Sequence, residues 1–227
     1  MIENRLKKQI LVIDPGTRVP ELDTFNNISL LSNVPCTYHL PALFGFSSLK
    51  KTKGKMAGVV VLGSGASVYD ALDWQDTLKE WLLEPMALGV PILGICYGHQ
   101  LLAHMAGGKV GLVEESGKKF VGVREVEMEP GALWGAPVKQ TYVVSHREEV
   151  KNCPSDYNVI GKSSLVACEI LAHKRKPIWT IQGHPEATEE FLENQSIEIE
   201  ESRKKKAFQD GRSLITHFLN YSTSILS

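Results

Sequence analysis

The feature that most constrains the fold is the stretch 90–106, in which an apolar run gives way to a small-residue turn and then to a helix-like segment. The run before the turn predicts a buried strand, because it is short and continuously apolar. The segment after the turn is apolar at helical spacing and stops at a pair of glycines, a signal for the end of a helix. The turn itself reads Gly94-x-Cys96-x-Gly98. This is the cysteine version of the nucleophile elbow, a sharp strand-to-helix turn that needs small residues on both flanks.

The position of Cys96 favours a reactive thiol over a structural one. Buried structural cysteines are common, so a lone cysteine after an apolar run is ordinarily assigned to the core. The two flanking glycines favour instead an exposed turn that lifts the side chain above the edge of the sheet. The turn also brings the sulfur to the N-terminus of a helix, where the partial positive charge favours the thiolate.

The composition excludes several classes of function. The chain has 227 residues, enough for a single domain over residues 1–227, and its formal net charge of -1 gives no reason to expect nucleic-acid binding. It contains no apolar run of about 18 residues and no apolar signal core at the N-terminus, so we expect no membrane association and a cytoplasmic location. The four cysteines form no Cys-x-x-Cys pair, and we expect neither a metal ion nor a cofactor.

Continuous apolar runs predict strands of a parallel sheet that is covered on both faces, and they occur at residues 9–14, 58–62, 90–95 and 177–182. Antiparallel or mixed strands are predicted by the patterns at residues 119–129, 138–145 and 164–172. We therefore expect an α/β fold with three layers: a mostly parallel central sheet, helices on both faces and a smaller antiparallel strand set. The charged tail over residues 190–227 predicts a helical C-terminal extension of the same domain.

The loop at residues 63–67, Gly-Ser-Gly-Ala-Ser, follows the predicted strand at 58–62. Ligands bind at the carboxyl edge of open α/β sheets, and small-residue loops at that edge present backbone N–H groups to anions. The loop is not Gly-x-Gly-x-x-Gly and no P-loop lysine follows it, so a nucleotide site is not indicated.

A cysteine nucleophile needs a histidine base, and the base needs an orienting acceptor. Of the seven histidines, His184 lies at the end of an apolar strand, in the turn Gly-His-Pro-Glu. Residues two apart in an extended turn point the same way, so Glu186 is a suitable acceptor. His99, three residues after Cys96, and His146, at another strand end, remain alternatives, although His99 lacks a carboxylate at suitable spacing.

Together these motifs resemble the class I, triad-type glutamine amidotransferase family. The resemblance is carried by Cys-Tyr-Gly-His-Gln at 96–100, Gly-His-Pro-Glu at 183–186 and the loop at 63–67. Ser-His-Arg-Glu-Glu-Val at 145–150 is similar to the family's Ser-His-x-Asp-x-Val segment. The order and spacing of these segments over residues 10–190 also match, and the chain resembles in particular the glutaminase domain of GMP synthetase and its free-standing relatives.

The resemblance implies a flavodoxin-like fold and a mechanism. Cys96 would attack the γ-carbonyl of glutamine with His184 as base and Glu186 orienting it, and a γ-glutamyl thioester would release ammonia and then glutamate. The oxyanion would be held by the backbone N–H groups of Ser64 and Tyr97. The glutamyl part of the substrate would be held by Gly63, Gln100, Ser145 and His146.

Two positions depart from the family pattern. Ser64 stands where relatives often have the second glycine of Ser-Gly-Gly-Pro, which reduces the conformational freedom of the loop. Glu148 stands where the usual segment has aspartate, so its contact is open.

Three functions remain open at this stage. The first is a glutaminase that feeds ammonia to a synthetase subunit, which would be a separate polypeptide because the chain has no ATP-pyrophosphatase loop. The second is a stand-alone γ-glutamyl peptidase or hydrolase, since the same triad serves both reactions. The third is a non-enzymatic or regulatory relative, which the complete set of Cys96, His184 and Glu186 argues against.

Overall fold

The computed structural model describes residues 8–52, 54–129 and 139–224 of the chain. Its strands, in chain order, are β1 (Gln9–Ile13), β2 (Cys36–His39), β3 (Met56–Val61), β4 (Ile92–Ile95), β5 (Lys109–Leu112), β6 (Phe120–Met128), β7 (Lys139–His146), β8 (Glu148–Asn152), β9 (Tyr157–Lys162), β10 (Ile170–His173) and β11 (Ile178–Ile181). Its α-helices are α1 (Leu22–Leu31), α2 (Pro41–Phe44), α3 (Asp73–Ala87), α4 (Tyr97–Met105), α5 (Glu189–Asn194) and α6 (Glu201–Ser224).

Within the described residues, nine strands form one mixed sheet in the order β2-β1-β3-β4-β11-β10-β9-β6-β7. The five strands from β2 to β11 are parallel, and every pairing from β11 to β7 is antiparallel. The expectations of a mostly parallel sheet and of three layers are therefore not confirmed for the chain as a whole. The connections from β9 to β10 and from β10 to β11 are too short for the crossover that a parallel pair requires.

Alternate residues of the apolar strands face two separate cores, as expected for strands covered on both faces. On β1, Ile10 and Val12 pack in the same cluster as Ile28 of α1 and Phe218 of α6. The intervening residues of β1 pack in a second cluster with Leu78 of α3 and with α4. Helices thus cover both faces of the parallel half of the sheet.

The C-terminal segment is helical, and its long helix is part of the core. The apolar side of α6 is buried against β3, β6 and β7, and it includes Leu214, Phe218 and Leu219. The backbone N–H of Thr141 on β7 donates to Asp210 of α6 at 2.7 Å. None of the helices in these residues combines the length and hydropathy needed to cross a lipid bilayer.

Candidate active site

Cys96 occupies a strained turn between β4 and α4. Its φ of 51° and ψ of -100° lie in a region that side chains rarely adopt, and such strain is a feature of functional turns. A Cβ atom at Gly98 would lie 2.3 Å from the carbonyl oxygen of Val61, and one at Gly94 would lie 2.6 Å from that of Gly98. The glycines on both sides of Cys96 are therefore required by close backbone contacts.

The thiol of Cys96 is buried, with 5% of the residue exposed. The elbow predicted an exposed side chain, but neighbouring segments cover it. A Cβ atom at Gly63 would lie 3.9 Å from the Cys96 sulfur and 3.1 Å from Cε1 of His184. The loop at 63–67 and the turn carrying His184 therefore meet over the sulfur.

His184 and Glu186 form a buried pair at the end of β11. Nδ1 of His184 and Oε1 of Glu186 are 2.8 Å apart. The backbone N–H of His184 donates to the carbonyl of Val143 at 2.7 Å, and the ring of Phe191 packs on the imidazole with centroids 4.6 Å apart. The structure thus brings the predicted base and its predicted acceptor together, next to the sulfur of Cys96.

The electrostatics of this pair favour a protonated imidazole. Burial by itself lowers the pKa of His184, but the neighbouring Glu186 carboxylate and the Cys96 thiol outweigh it, and the net pKa is raised. Nε2 of His184 is buried and lacks a well-formed hydrogen bond in the described part of the chain, so this nitrogen is available for proton exchange. Nearby, burial first, and then Asp14 and Glu186, raise the pKa of the Glu21 carboxyl to about 7.

Two backbone groups lie near Cys96 at the predicted oxyanion positions. Tyr97 is the first residue of α4, where the backbone N–H has no acceptor within the helix. Its side chain is fully buried and points to Gln75, whose Nε2 donates to the Tyr97 hydroxyl at 3.1 Å, so only the backbone of Tyr97 can serve the site. Ser64 follows Gly63 directly in the covering loop.

The hydroxyl of Ser64 fastens this loop to its surroundings. It donates to the carbonyl of Pro15 at 2.9 Å and accepts from the N–H of Ala66 at 3.2 Å. Ser64 has no positive φ. The serine in place of glycine therefore causes no backbone strain of that kind, and it adds two hydrogen bonds.

Gln100 acts through neighbouring groups. Its Nε2 donates to the carbonyl of Glu148 at 2.8 Å and to Oε1 of Gln182 at 3.1 Å. The amide nitrogen of Gln182 lies 3.8 Å from the Cys96 sulfur. Gln182 was missed in the sequence, where its only signal is a polar residue closing an apolar strand. The carboxylate of Glu148, the departure from aspartate, accepts from the Ser67 hydroxyl at 3.0 Å.

Neither alternative histidine is arranged as the base. Nε2 of His146 accepts from Arg124 at 2.9 Å and its Nδ1 donates to the carbonyl of Glu148 at 2.9 Å. Burial, and then Arg124, lower the pKa of His146 to about 3. His99 is fully buried against the Thr180 hydroxyl, and burial lowers its pKa to about 3 as well. Both ring nitrogens of His146 are thus engaged within the protein, so its predicted contact with substrate would have to come from its backbone.

The comparison with known families follows from this geometry. The model of the family "Glutamine amidotransferase class-I" matches residues 33–200, which include Cys96, His184 and Glu186. This chain belongs to the class I glutamine amidotransferase family. Across the residues that the structure describes, no group of three or more His, Cys, Asp or Glu side chains is arranged to hold a metal ion.

Relatives of this amidotransferase include GMP synthases. The chain is 36% identical over 127 residues to a separate subunit of the glutamine-hydrolyzing GMP synthase of Archaeoglobus fulgidus, covering 56% of this chain and 65% of that protein. It is 35% identical over 150 residues to the GMP synthase of Streptococcus pneumoniae, covering 62% of this chain but 28% of that protein. A solved structure of a candidate GMP synthase subunit from Thermoplasma acidophilum shares the fold, with a TM-score of 0.75 at 21% identity over 97% of this chain and 96% of that one.

Sequence analysis missed three further residues beside this amidotransferase site: Gln195, Lys119 and Gln75. Ser145, a predicted substrate residue, donates through its hydroxyl to Oε1 of Gln195 at 3.2 Å. Lys119 donates to the same oxygen at 2.7 Å. Gln75 donates to the carbonyl of Ser67 at 2.7 Å and so supports the covering loop from α3. Only the folding of distant segments brings these residues to the site, and no local pattern marks them.

Proposed function

We propose that this chain hydrolyses the γ-amide of glutamine, with Cys96 as nucleophile, His184 as acid and base, and Glu186 as the group that orients His184. The observation that carries the proposal is the strained Cys96 beside a buried His184 whose Nδ1 is held by Glu186 at 2.8 Å. A nucleophile, a base and an orienting acceptor in that order are the arrangement that acyl transfer requires.

In the first half of the reaction, the thiolate of Cys96 attacks the γ-carbonyl carbon and the carbonyl oxygen becomes an oxyanion. The backbone N–H groups of Ser64 and Tyr97 stabilise that charge. The intermediate collapses when the imidazolium of His184 gives its proton to the leaving nitrogen. Ammonia departs, and a γ-glutamyl thioester remains on Cys96.

In the second half, water attacks the thioester while Nε2 of His184 takes its proton. The same backbone donors stabilise the second oxyanion, and its collapse expels the thiolate of Cys96 and releases glutamate. The net reaction consumes one water for each glutamine and gives glutamate and ammonia. Glu186 keeps the imidazole in the same orientation for both proton transfers, because its contact is to Nδ1 and leaves Nε2 free to act.

We further propose that the ammonia is passed to a synthetase of the GMP synthase kind. This rests on the relatives in Archaeoglobus fulgidus and Streptococcus pneumoniae. The chain spans 65% of the first of these proteins and 28% of the second, so the acceptor chemistry lies outside the matched segment. The separate subunit in Archaeoglobus fulgidus is the precedent for a glutaminase on its own polypeptide.

The test is product analysis of the purified chain, given glutamine and a γ-glutamyl dipeptide in parallel reactions. Ammonia release from glutamine that is lost in Cys96→Ala supports the proposed glutaminase, and addition of a GMP synthase synthetase subunit should raise it. Fast release of the amine from the dipeptide, with little ammonia from glutamine, would replace the proposal by a stand-alone γ-glutamyl hydrolase. Turnover that survives in Cys96→Ala would contradict both.

A further inference from the structure

Lys119 is a half-buried cation directly before β6. Its Nζ donates to the neutral side-chain amide of Gln195 at 2.7 Å. Among the residues that the structure describes, no carboxylate lies within salt-bridge distance of Lys119. Charged side chains with this degree of burial ordinarily have an opposite charge beside them, so the contacts within the protein leave this ammonium group short of an anion.

Pairing between β6 and β7 brings Lys119 to the predicted substrate segment. Phe120, the next residue, pairs with His146, and Val121 pairs with Ser145. The Ser145 hydroxyl donates to Oε1 of Gln195 at 3.2 Å, the same oxygen that Lys119 contacts. Lys119 and Ser145 therefore present two donors around one amide oxygen, at the side of the substrate segment.

The distance from this group to the candidate catalytic pair fits a glutamyl substrate. Phe191 of α5 packs on the His184 ring with centroids 4.6 Å apart, and Gln195 caps the same helix four residues later. Four residues advance a helix by about 6 Å. The γ-carbonyl carbon and the α-carboxylate carbon of an extended glutamyl group are separated by four bonds, about 5 Å.

The charges around Lys119 agree with this placement. Burial lowers the pKa of Lys119, the nearby Cys96 opposes that effect, and Arg147 adds to it. Lys119 therefore lies within electrostatic reach of the nucleophile, and the exposed Arg147 contributes a second positive charge at the rim. A substrate carboxylate entering here would meet net positive charge.

We propose that Lys119 binds the α-carboxylate of the glutamyl substrate, with Ser145 and Gln195 completing the subsite, while the γ-carbonyl lies at Cys96. The inference rests on the proposed function, since it assumes that Cys96 attacks a γ-glutamyl group. It makes Lys119 a specificity-determining residue for substrates that carry this carboxylate. A carboxylate would replace the amide oxygen of Gln195 as the principal acceptor for the ammonium group.

The first test measures covalent labelling of Cys96 by 6-diazo-5-oxo-L-norleucine, a glutamine analogue that keeps the α-carboxylate. The thiol gives its proton to the diazo carbon and its sulfur displaces N2, which leaves a stable thioether. Iodoacetamide, which has no carboxylate, alkylates the same thiol as the reference reagent. We expect Lys119→Met to slow labelling by the analogue about 10- to 100-fold, the range for loss of a charge-assisted hydrogen bond, and to leave the iodoacetamide rate unchanged.

Two matched variants complete this test. Lys119→Arg keeps the charge and should restore part of the labelling rate, whereas Lys118→Met removes a neighbouring charge outside the proposed subsite and should have no effect. If Lys119→Met reacts like the wild type, or loses reactivity equally toward both reagents, the inference is overturned. If the wild-type protein is not labelled selectively at Cys96 by the analogue, the proposed function itself fails.

A second measurement begins with the wild-type protein. It is given two truncated amides: glutaramic acid, which keeps the carboxylate and lacks the ammonium, and 4-aminobutanamide, which keeps the ammonium and lacks the carboxylate. Faster hydrolysis of glutaramic acid supports the inference, and that advantage should shrink in Lys119→Met. Equal or faster hydrolysis of 4-aminobutanamide would overturn it while leaving the proposed amidohydrolase intact.

Discussion

The imidazole of His184 contacts the carboxylate of Glu186 through Nδ1, at 2.8 Å, with both side chains almost completely buried. When Nδ1 donates to a carboxylate, the ring orientation is fixed and Nε2 is the nitrogen left for chemistry. Since Pro185 lies between the two residues and restricts the backbone, the pair is preset by three consecutive positions of the chain.

We predict that Glu186→Gln lowers the turnover number less than His184→Ala does. The amide oxygen can still accept from Nδ1, so orientation is partly retained, whereas the alanine removes the acid and base altogether. We expect losses of about 10- to 100-fold for the first variant and about 1,000- to 10,000-fold for the second. Steady-state kinetics on one substrate compare them, and the reverse order would contradict the assigned roles.

Glu186→Gln should also shift the pH dependence of turnover. The Glu186 charge raises the pKa of His184, so the imidazolium that protonates the leaving ammonia persists to higher pH than it would for an ordinary histidine. Without that charge, burial lowers the pKa and the imidazolium is lost at lower pH. The high-pH limb of the kcat profile should therefore move to lower pH, and an unmoved limb would show that another group controls it.

Substitution of Cys96 should separate catalysis from backbone strain. Both Cys96→Ala and Cys96→Gly remove the sulfur and should abolish turnover. Because φ is 51° at this position, the alanine retains the strain and the glycine relieves it, so we expect the glycine variant to be more stable than the alanine variant by about 1 kcal/mol. Urea denaturation of the two inactive variants measures the difference, and equal midpoints would argue against strain in the turn.

The hydroxyl of Ser64 should matter for kcat more than for KM. Ser64→Ala removes the bonds to Pro15 and to the N–H of Ala66, which hold the covering loop near the sulfur. Misplacement of an oxyanion donor raises the barrier of the chemical step, and we expect a loss of about 5- to 20-fold in kcat. The exposed Ser116→Ala serves as the control. A raised KM with unchanged kcat would assign Ser64 to substrate binding instead.

The parallel half of the fold could be predicted because its strands are uninterrupted apolar runs. β1, β3, β4 and β11 all lie at the predicted runs, with small differences at their ends. The antiparallel half was harder. β5 and β8 pair with each other outside the main sheet, and β8 reads Glu-Glu-Val-Lys-Asn, in which charge hides the alternation. Whether a strand joins a sheet or forms a separate pair depends on tertiary contacts that the local pattern does not contain.

The site divides in the same way. Cys96, His184 and Glu186 were found because each lies in a short motif whose geometry is local. The contact between Lys119 and Gln195 joins residues 76 positions apart, so no spacing rule could reveal it. The role of His146 was also hidden, because its ring nitrogens are engaged by Arg124 and a backbone carbonyl that only the folded sheet brings within reach.

The salt bridge between Arg124 and Glu169 should be a major determinant of stability around the substrate segment. Their side chains are 10% and 0% exposed, with Nη1 and Oε1 3.0 Å apart, and Arg124 also donates to His146. Arg124→Met leaves the Glu169 carboxylate buried without a cation, and we expect a loss of about 3–5 kcal/mol in the free energy of unfolding.

The double variant Arg124→Met with Glu169→Gln removes the buried charge and should recover part of this loss, though not all, because His146 still lacks its donor. On the same two strands, β6 and β7, the exposed pair of Lys139 and Glu125 provides the control, and Lys139→Met should leave the urea midpoint unchanged. If the single and double variants unfold at the same urea concentration, the cost comes from lost packing around Arg124 and not from an uncompensated charge.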